Sequence, residues 1–128
     1  MKKILIVEDD PLARQILNAR LKPMYEVIVA ADAMSAFTEA RKQKPDLIVL
    51  DLGLPAGGGF SVLQRLKSIP ALSLIPVLVV SGLDQATHEK RALEAGANAY
   101  LQKTPTNETL IATVRALLGE QPHMSSPA

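Results

Sequence analysis

Five short apolar runs punctuate the chain: Ile4–Val7, Val27–Ala31, Leu47–Leu50, Ile75–Val80 and, more weakly, Ala97–Leu101. Each is about the length of a β-strand, and most are rich in valine and isoleucine. Their apolarity is continuous, not alternating, which predicts strands buried on both faces. Between the runs, apolar residues return at helical spacing. Leu12, Ala13, Ile16, Leu17 and Leu21 mark a first helix, with Asp10 as its N-cap and Pro11 as its first residue. Met34, Phe37 and Ala40 mark a second, capped by Asp32, and Phe60, Leu63, Leu66 and Ile69 a third. A fourth runs through QATHEKRALEAGA to a stop at Gly96, with little apolar surface beyond Ala92, Leu93 and Ala95. Leu110, Ile111, Val114, Leu117 and Leu118 make the clearest amphipathic pattern, which ends at Gly119.

Strands and helices therefore alternate, five of each, and that alternation predicts an α/β fold: a doubly wound parallel sheet with helices on both sides. The length of 128 residues suits one domain with one core. Residues 1–118 are read as that domain. Residues 119–128 are polar, contain Pro and Ser, lack periodicity, and are read as a tail or the start of a linker.

Composition changes the picture mainly by exclusion. A net charge of +1 without a block of like charge argues against a basic surface for nucleic acid or membrane. An aromatic content of 3% leaves little for base stacking. The absence of cysteine removes disulfides and thiolate metal sites, and His88 and His123 stand far apart in sequence. Ile4–Val7 is too short for a signal core and runs into acids, and no run has the length of a membrane span. The expectation is a soluble, cytoplasmic protein.

The polar residues collect where such sheets bind ligands, beyond the carboxyl ends of the strands. Glu8, Asp9 and Asp10 follow the first strand, Asp32 the second, Asp51 and Gly53 the third, Ser81 and Gly82 the fourth, and Gln102, Lys103 and Thr104 the fifth. In the strand order 2-1-3-4-5, Asp51 is central, with Glu8 and Asp9 on one side and Ser81 and Lys103 on the other. Carboxylates at close range repel one another unless a cation joins them. Hard oxygen ligands of this kind favour Mg²⁺, which takes carboxylates, waters and a phosphate oxygen. A lysine and a hydroxyl suit the remaining oxygens of a phosphoryl group. A carboxylate can itself act as the nucleophile that accepts that group. Gly53 and Gly82 leave room around it. Asp10 is read as a helix cap, and the glycine run at 57–59 is no phosphate-binding loop, because no Gly-Lys-Ser/Thr follows.

The stretches ILIVEDD, PDLIVLDLGLP, PVLVVSG and GANAYLQK, in this order and spacing, resemble the response-regulator receiver domain, the CheY-like module of two-component signalling. The resemblance covers about residues 2–118. It implies a flavodoxin-like, CheY-like fold and a signalling switch, not a metabolic enzyme, with only Mg²⁺-dependent self-phosphorylation and autodephosphorylation. It implies Asp51 as phospho-acceptor and a Mg²⁺ site of Asp9, Glu8, Asp51 and the backbone carbonyl of Gly53. Ser81, with Gly82 beside it, looks like the switch hydroxyl, Lys103 like the phosphate-pairing lysine, and Tyr100 like the aromatic switch on the fifth strand. The implied partners are a sensor histidine kinase or histidine phosphotransfer protein and an unidentified downstream effector or output domain. No nucleic acid or membrane is implied, and homodimers through the face of the fourth helix, fifth strand and fifth helix fit the resemblance.

Two positions depart from the family pattern. Gly58 stands where an acidic residue or Asn usually precedes the third helix, which removes a side-chain cap and predicts a mobile loop. Thr104 separates Lys103 from Pro105, so the family's cis peptide after the lysine would fall at a non-proline bond, where it is costly. Rival readings remain: a degenerate receiver that only binds partners, the receiver part of a longer regulator, and an Asp-nucleophile phosphatase. The last usually carries a second Asp two residues after the first, where this chain has Gly53. A nucleotide-binding module is disfavoured, because no Gly-x-Gly-x-x-Gly follows the first strand.

Overall fold

The computed structural model describes residues 1–55 and 58–120. Strands β1 (Lys3–Val7), β2 (Glu26–Ala30), β3 (Leu47–Leu50), β4 (Val77–Ser81) and β5 (Ala99–Gln102) alternate with helices α1 (Pro11–Leu21), α2 (Ala33–Gln43), α3 (Gly58–Ser68), α4 (Gln85–Glu94) and α5 (Asn107–Leu117). All strand pairs are parallel, and the order is β2-β1-β3-β4-β5, as the sequence predicts. The alternating pleat sends successive side chains to opposite faces. Leu5, Val7, Ile48, Leu50, Val77 and Val79 pack with α2, α3 and Ala92 of α4. Ile4, Ile6, Leu47, Val49, Leu78 and Val80 pack with Leu17 and Leu21 of α1 and Leu110 and Val114 of α5.

Helix starts follow the expected chemistry. Asp10 accepts from Ala13 N and Asp32 from Ser35 N, each meeting an orphan N–H of a first turn. Asp84 caps α4 and Thr106 caps α5 in the same way. Gly96, with φ +115°, ends the α4 turn as expected.

Three expectations need correction. β2 and β5 are not buried on both faces: they are the two edges of the sheet, and Val29 of β2 is 44% exposed. Nor are the apolar stripes of α1 and α2 fully covered, because Leu12 and Met34 lie at 64% and 80% exposure. β4 and β5 begin two residues late. Pro76 supplies only its carbonyl, to Ile48 N, and Ala97 N is still engaged in closing α4 through Ala92 O. The loop expected to be mobile falls partly on residues 56 and 57, and most of the polar tail on 121–128, all outside the described residues.

Past Gly119, Glu120 accepts a 2.8 Å hydrogen bond from the Tyr25 hydroxyl, joining the end of α5 to the strand edge. Burial, and then the Glu120 carboxylate, push the Tyr25 phenol from 10.0 up to about 12. The fold thus favours the neutral phenol. Its contribution is intact below pH 10.0 and is lost as pH rises towards about 12. Compared with Tyr25→Phe, the wild type should lose roughly 2 kcal/mol of relative stability across that window, measured by urea unfolding at stepped alkaline pH.

The first turn of α3 sits directly on the backbone after Asp51. A Cβ at Gly59 would lie 2.3 Å from Leu52 Cα, whereas one at Gly58 would meet Leu54 Cβ at an ordinary 3.6 Å. Gly59→Ala should therefore cost about 3 kcal/mol, through displacement of backbone, and Gly58→Ala close to nothing. Equilibrium unfolding of the two variants side by side checks this.

Candidate functional site

The register brings the strand ends into one cluster. Val7 pairs with Leu50 and Ser81 with Gln102, so Glu8 and Asp51 leave adjacent strands together and Lys103 leaves beside Ser81. Backbone bonds extend both ladders by one residue: Asp51 N donates to Val7 O, and Lys103 N to Ser81 O. One carboxylate oxygen from each of Glu8, Asp9 and Asp51 lies within 4.8 Å of the others. Glu8 and Asp51 are buried and Asp9 is exposed. Asp10 stands outside the cluster, as a cap.

Lys103 is the cation of the cluster. Its Nζ lies 2.6 Å from Glu8 Oε1 and 3.3 Å from Asp51 Oδ2. The Lys103 ammonium is the one polar contact of the buried Glu8 Oε1, so an anionic oxygen is left with coordination to spare. Burial pushes the Glu8 carboxyl up, the Lys103 ammonium and the Asp10 amide pull it partly back, and the Asp51 charge adds to the rise. Burial is also the largest influence on Lys103 and pulls it down, yet Glu8 and Asp51 together outweigh it and the ammonium ends above its ordinary value.

The residues around the cluster fix its shape. Gly53 N donates to Asp51 Oδ1 at 2.9 Å, and a Cβ at Gly53 would come only 3.4 Å from that oxygen. Space at Gly82 is open, with nothing within 4 Å of an added Cβ. Ser81 is fully buried, and its Oγ accepts from Leu83 N at 3.1 Å. Tyr100 lies on the edge strand with its ring buried, and its hydroxyl donates to Leu83 O at 2.8 Å. The Lys103–Thr104 peptide is cis although its second residue is threonine, not proline, against the cost that argued otherwise.

Sequence reasoning left two supports unassigned. Arg14, one turn into α1, donates to Glu8 O at 2.9 Å and reaches Asp9 O at 3.4 Å, holding the acid-bearing turn. The signal is an arginine six residues after the first acid, at the height of that turn. Gln102, directly before Lys103, bonds to both sides of the β4–α4 loop. Two buried carboxylates and an exposed one, an oxygen with room for another partner and one fixed ammonium together can hold a hard divalent cation next to an anion of the phosphoryl class.

Comparison with known proteins gives one answer. The family model described as the response regulator receiver domain matches residues 4–115. Protein PilH of Pseudomonas aeruginosa is 35% identical over 119 residues, covering 92% of this chain and 98% of that protein. The DNA-binding dual master transcriptional regulator RpaA of Synechocystis is 39% identical over 119 residues, covering 92% of this chain but 49% of that protein. The chain thus spans nearly the whole of one relative and about half of the other, and it spans 13% of the gliding motility regulatory protein of Myxococcus xanthus. Among solved structures, the receiver domain of a Pseudomonas aeruginosa sensor histidine kinase, described with a magnesium ion in its active-site cleft, superposes with a TM-score of 0.84. It has 27% identity and covers 93% of this chain and 98% of that one. The BeF3-activated receiver domain of Klebsiella pneumoniae RstA gives a TM-score of 0.83 at 32% identity, covering 91% and 97%.

With Lys103 replaced by Met, Glu8 would face Asp51 inside the fold without its cation. The loss expected at neutral pH in chelator-containing buffer is about 2–4 kcal/mol. A carboxyl raised in the folded state favours folding when protonated. Its contribution is full below 4.5 and is lost as pH rises through the folded value. The deficit of Lys103→Met should therefore shrink towards acid pH, which urea unfolding at stepped pH reads directly.

Proposed function

This chain belongs to the response regulator receiver family, and from that premise we propose that it is a phosphorylatable switch whose phospho-acceptor is Asp51. The observation that carries the reading is the buried Asp51 carboxylate, held 3.3 Å from the Lys103 ammonium within a trio of carboxylates. An Asp51 oxygen attacks the phosphorus of a phosphohistidine on a sensor kinase or phosphotransfer protein. The P–N bond breaks, the imidazole keeps the electron pair and takes a proton, and an aspartyl-phosphate remains.

The residues present fit Mg²⁺: the gathered oxygens of Glu8, Asp9 and Asp51 would hold it, and by the family resemblance the Gly53 carbonyl would join them. Bound there, it would supply positive charge to the phosphoryl oxygens. Lys103 adds fixed charge from the other side, and its pairing with Glu8 keeps it aimed at the site. Ser81 would turn towards the phosphoryl group, Gly82 giving the backbone freedom to do so, and Tyr100 would follow the loop. The output surface is then that of α4, β5 and α5, where Leu93 is exposed and where a second copy would pack. Its partner is a downstream effector or an output domain. Among the described residues no helix is long and apolar enough to cross a membrane. We place the domain in the cytoplasm, with the kinase that would serve it.

Incubation with Mg²⁺ and acetyl phosphate should yield one phosphoryl adduct by intact-mass spectrometry, absent in Asp51→Ala and absent with chelator. Asp9→Asn should raise the Mg²⁺ needed for half-maximal adduct about tenfold or more. A folded protein that forms no adduct, and takes up no beryllofluoride beside a control receiver that does, would instead be a receiver that only binds partners.

A further inference from the structure

The loop between β4 and α4 is held from β5 by a side chain to which the phosphoryl chemistry gives no role. Gln102 projects from the last position of β5, paired in register with Ser81. Its Oε1 accepts from Gln85 N, the first amide of α4, at 2.7 Å. Its Nε2 donates to Gly82 O at 3.1 Å. Both ends of the segment Gly82–Leu83–Asp84 are therefore fastened to one amide group. The orientation of that amide is settled by its neighbours, since a backbone N–H needs the oxygen and a carbonyl needs the nitrogen. The Tyr100 hydroxyl on Leu83 O fastens the middle of the segment. The Gln85 side chain returns a long contact of 3.4 Å to Tyr100 O.

Ser81 immediately precedes this segment, and its Oγ is engaged with Leu83 N. Movement of the hydroxyl towards Asp51 breaks its bond with Leu83 N, and the space that a side chain at Gly82 would fill is open. Leu83 packs against the core, and the polar bonds that hold the rest of the loop come from Tyr100 and Gln102. Only a side chain with both donor and acceptor at its tip can make this bracket, which a methionine of similar length cannot.

We propose that Gln102 is a positioning residue that latches the β4–α4 loop in its unphosphorylated arrangement, so that a phosphoryl group on Asp51 must break the Gly82 bond before Ser81 can reach it. The latch rests on the reading of Asp51 and Ser81 given above. It sets the balance between the two loop states, and through it the affinity for a phosphoryl group or its analogue.

The test uses the full chain as wild type, Gln102→Met and, as a control, Gln85→Ala. Two quantities are read: amide hydrogen exchange without any ligand, and beryllofluoride affinity at saturating Mg²⁺ by fluorine NMR. In Gln102→Met the amides of Leu83 and Gln85 should exchange faster, while those of Ile6 and Leu110 do not change. Beryllofluoride affinity should rise roughly threefold to tenfold, the ratio expected from losing one hydrogen bond present only in the latched state. Gln85→Ala, which leaves the Gln102 bracket in place, should bind as wild type. Faster exchange with unchanged or weaker affinity would make Gln102 a mere cap of α4 and overturn the latch. Unchanged exchange would overturn it as well. If wild type takes up no beryllofluoride at all, the phosphoryl reading of the site fails and the switching role of Gln102 falls with it.

Discussion

Everything at the carboxyl end of this sheet answers to the repulsion between Glu8 and Asp51. The parallel register forces the two carboxylates out of adjacent strands side by side, both within the protein. Neither can be hydrated as in water, and the rise in the Glu8 pKa registers the cost. Lys103 offsets it from the far side of the sheet, across β4. An ammonium that reaches two acids leaves oxygen lone pairs over, on Glu8 Oε1 among others. A site that is only partly neutralised by its own residues has capacity for another cation, and for an anion once that cation is present. The electrostatic imbalance is thus what makes the cluster a site and not merely a buried ion pair.

The scaffold that sustains this imbalance is strongly apolar. Central strands β1, β3 and β4 are buried on both faces, with helices packed against each. Such a core resists distortion, so the strand ends are held at fixed separation whether or not their charges are satisfied. The approach of the α3 backbone to Leu52, possible because position 59 is glycine, pins the segment just after Asp51 in the same way. Rigid support on the β3 side contrasts with the β4 side. There, the loop after Ser81 is held by polar bonds from Tyr100 and Gln102 and has open space at Gly82. Hydrogen bonds at a half-exposed loop exchange readily with water, whereas buried backbone contacts do not. The molecule therefore places its firmly packed wall beside Asp51 and its more loosely held wall beside Ser81.

How much of this was legible in the sequence follows from the range of the interactions concerned. The strands and helices come from local periodicity, and the caps Asp10 and Asp32 from side chains acting three residues away. The strand order and the clustering of Glu8, Asp9, Asp51 and Lys103 followed from the rule for parallel sheets together with the family resemblance. What sequence could not supply was the outcome of competition between distant groups. Leu12 and Met34 fit their helical stripes but find no sheet beneath them, because α1 and α2 lie towards the edge formed by β2. Gln102 looked like one more polar residue at a strand end, since the amide and carbonyl it joins lie 17 and 20 positions away in the chain.

The division between legible and hidden parts has a physical counterpart in the division between chemistry and control. Residues that would perform the transfer are acids and a lysine whose types alone announce them, because charge buried at a sheet end has few other uses. Residues that govern how readily the loop responds are neutral: an amide, a phenol, a hydroxyl and a glycine. Their effect depends on pairing geometry and not on residue type, so related chains can keep the acid cluster and vary the restraint freely. Asp51 and Lys103 would then decide whether the domain can be switched, and the bonds around Gly82 how far towards the switched state it already stands.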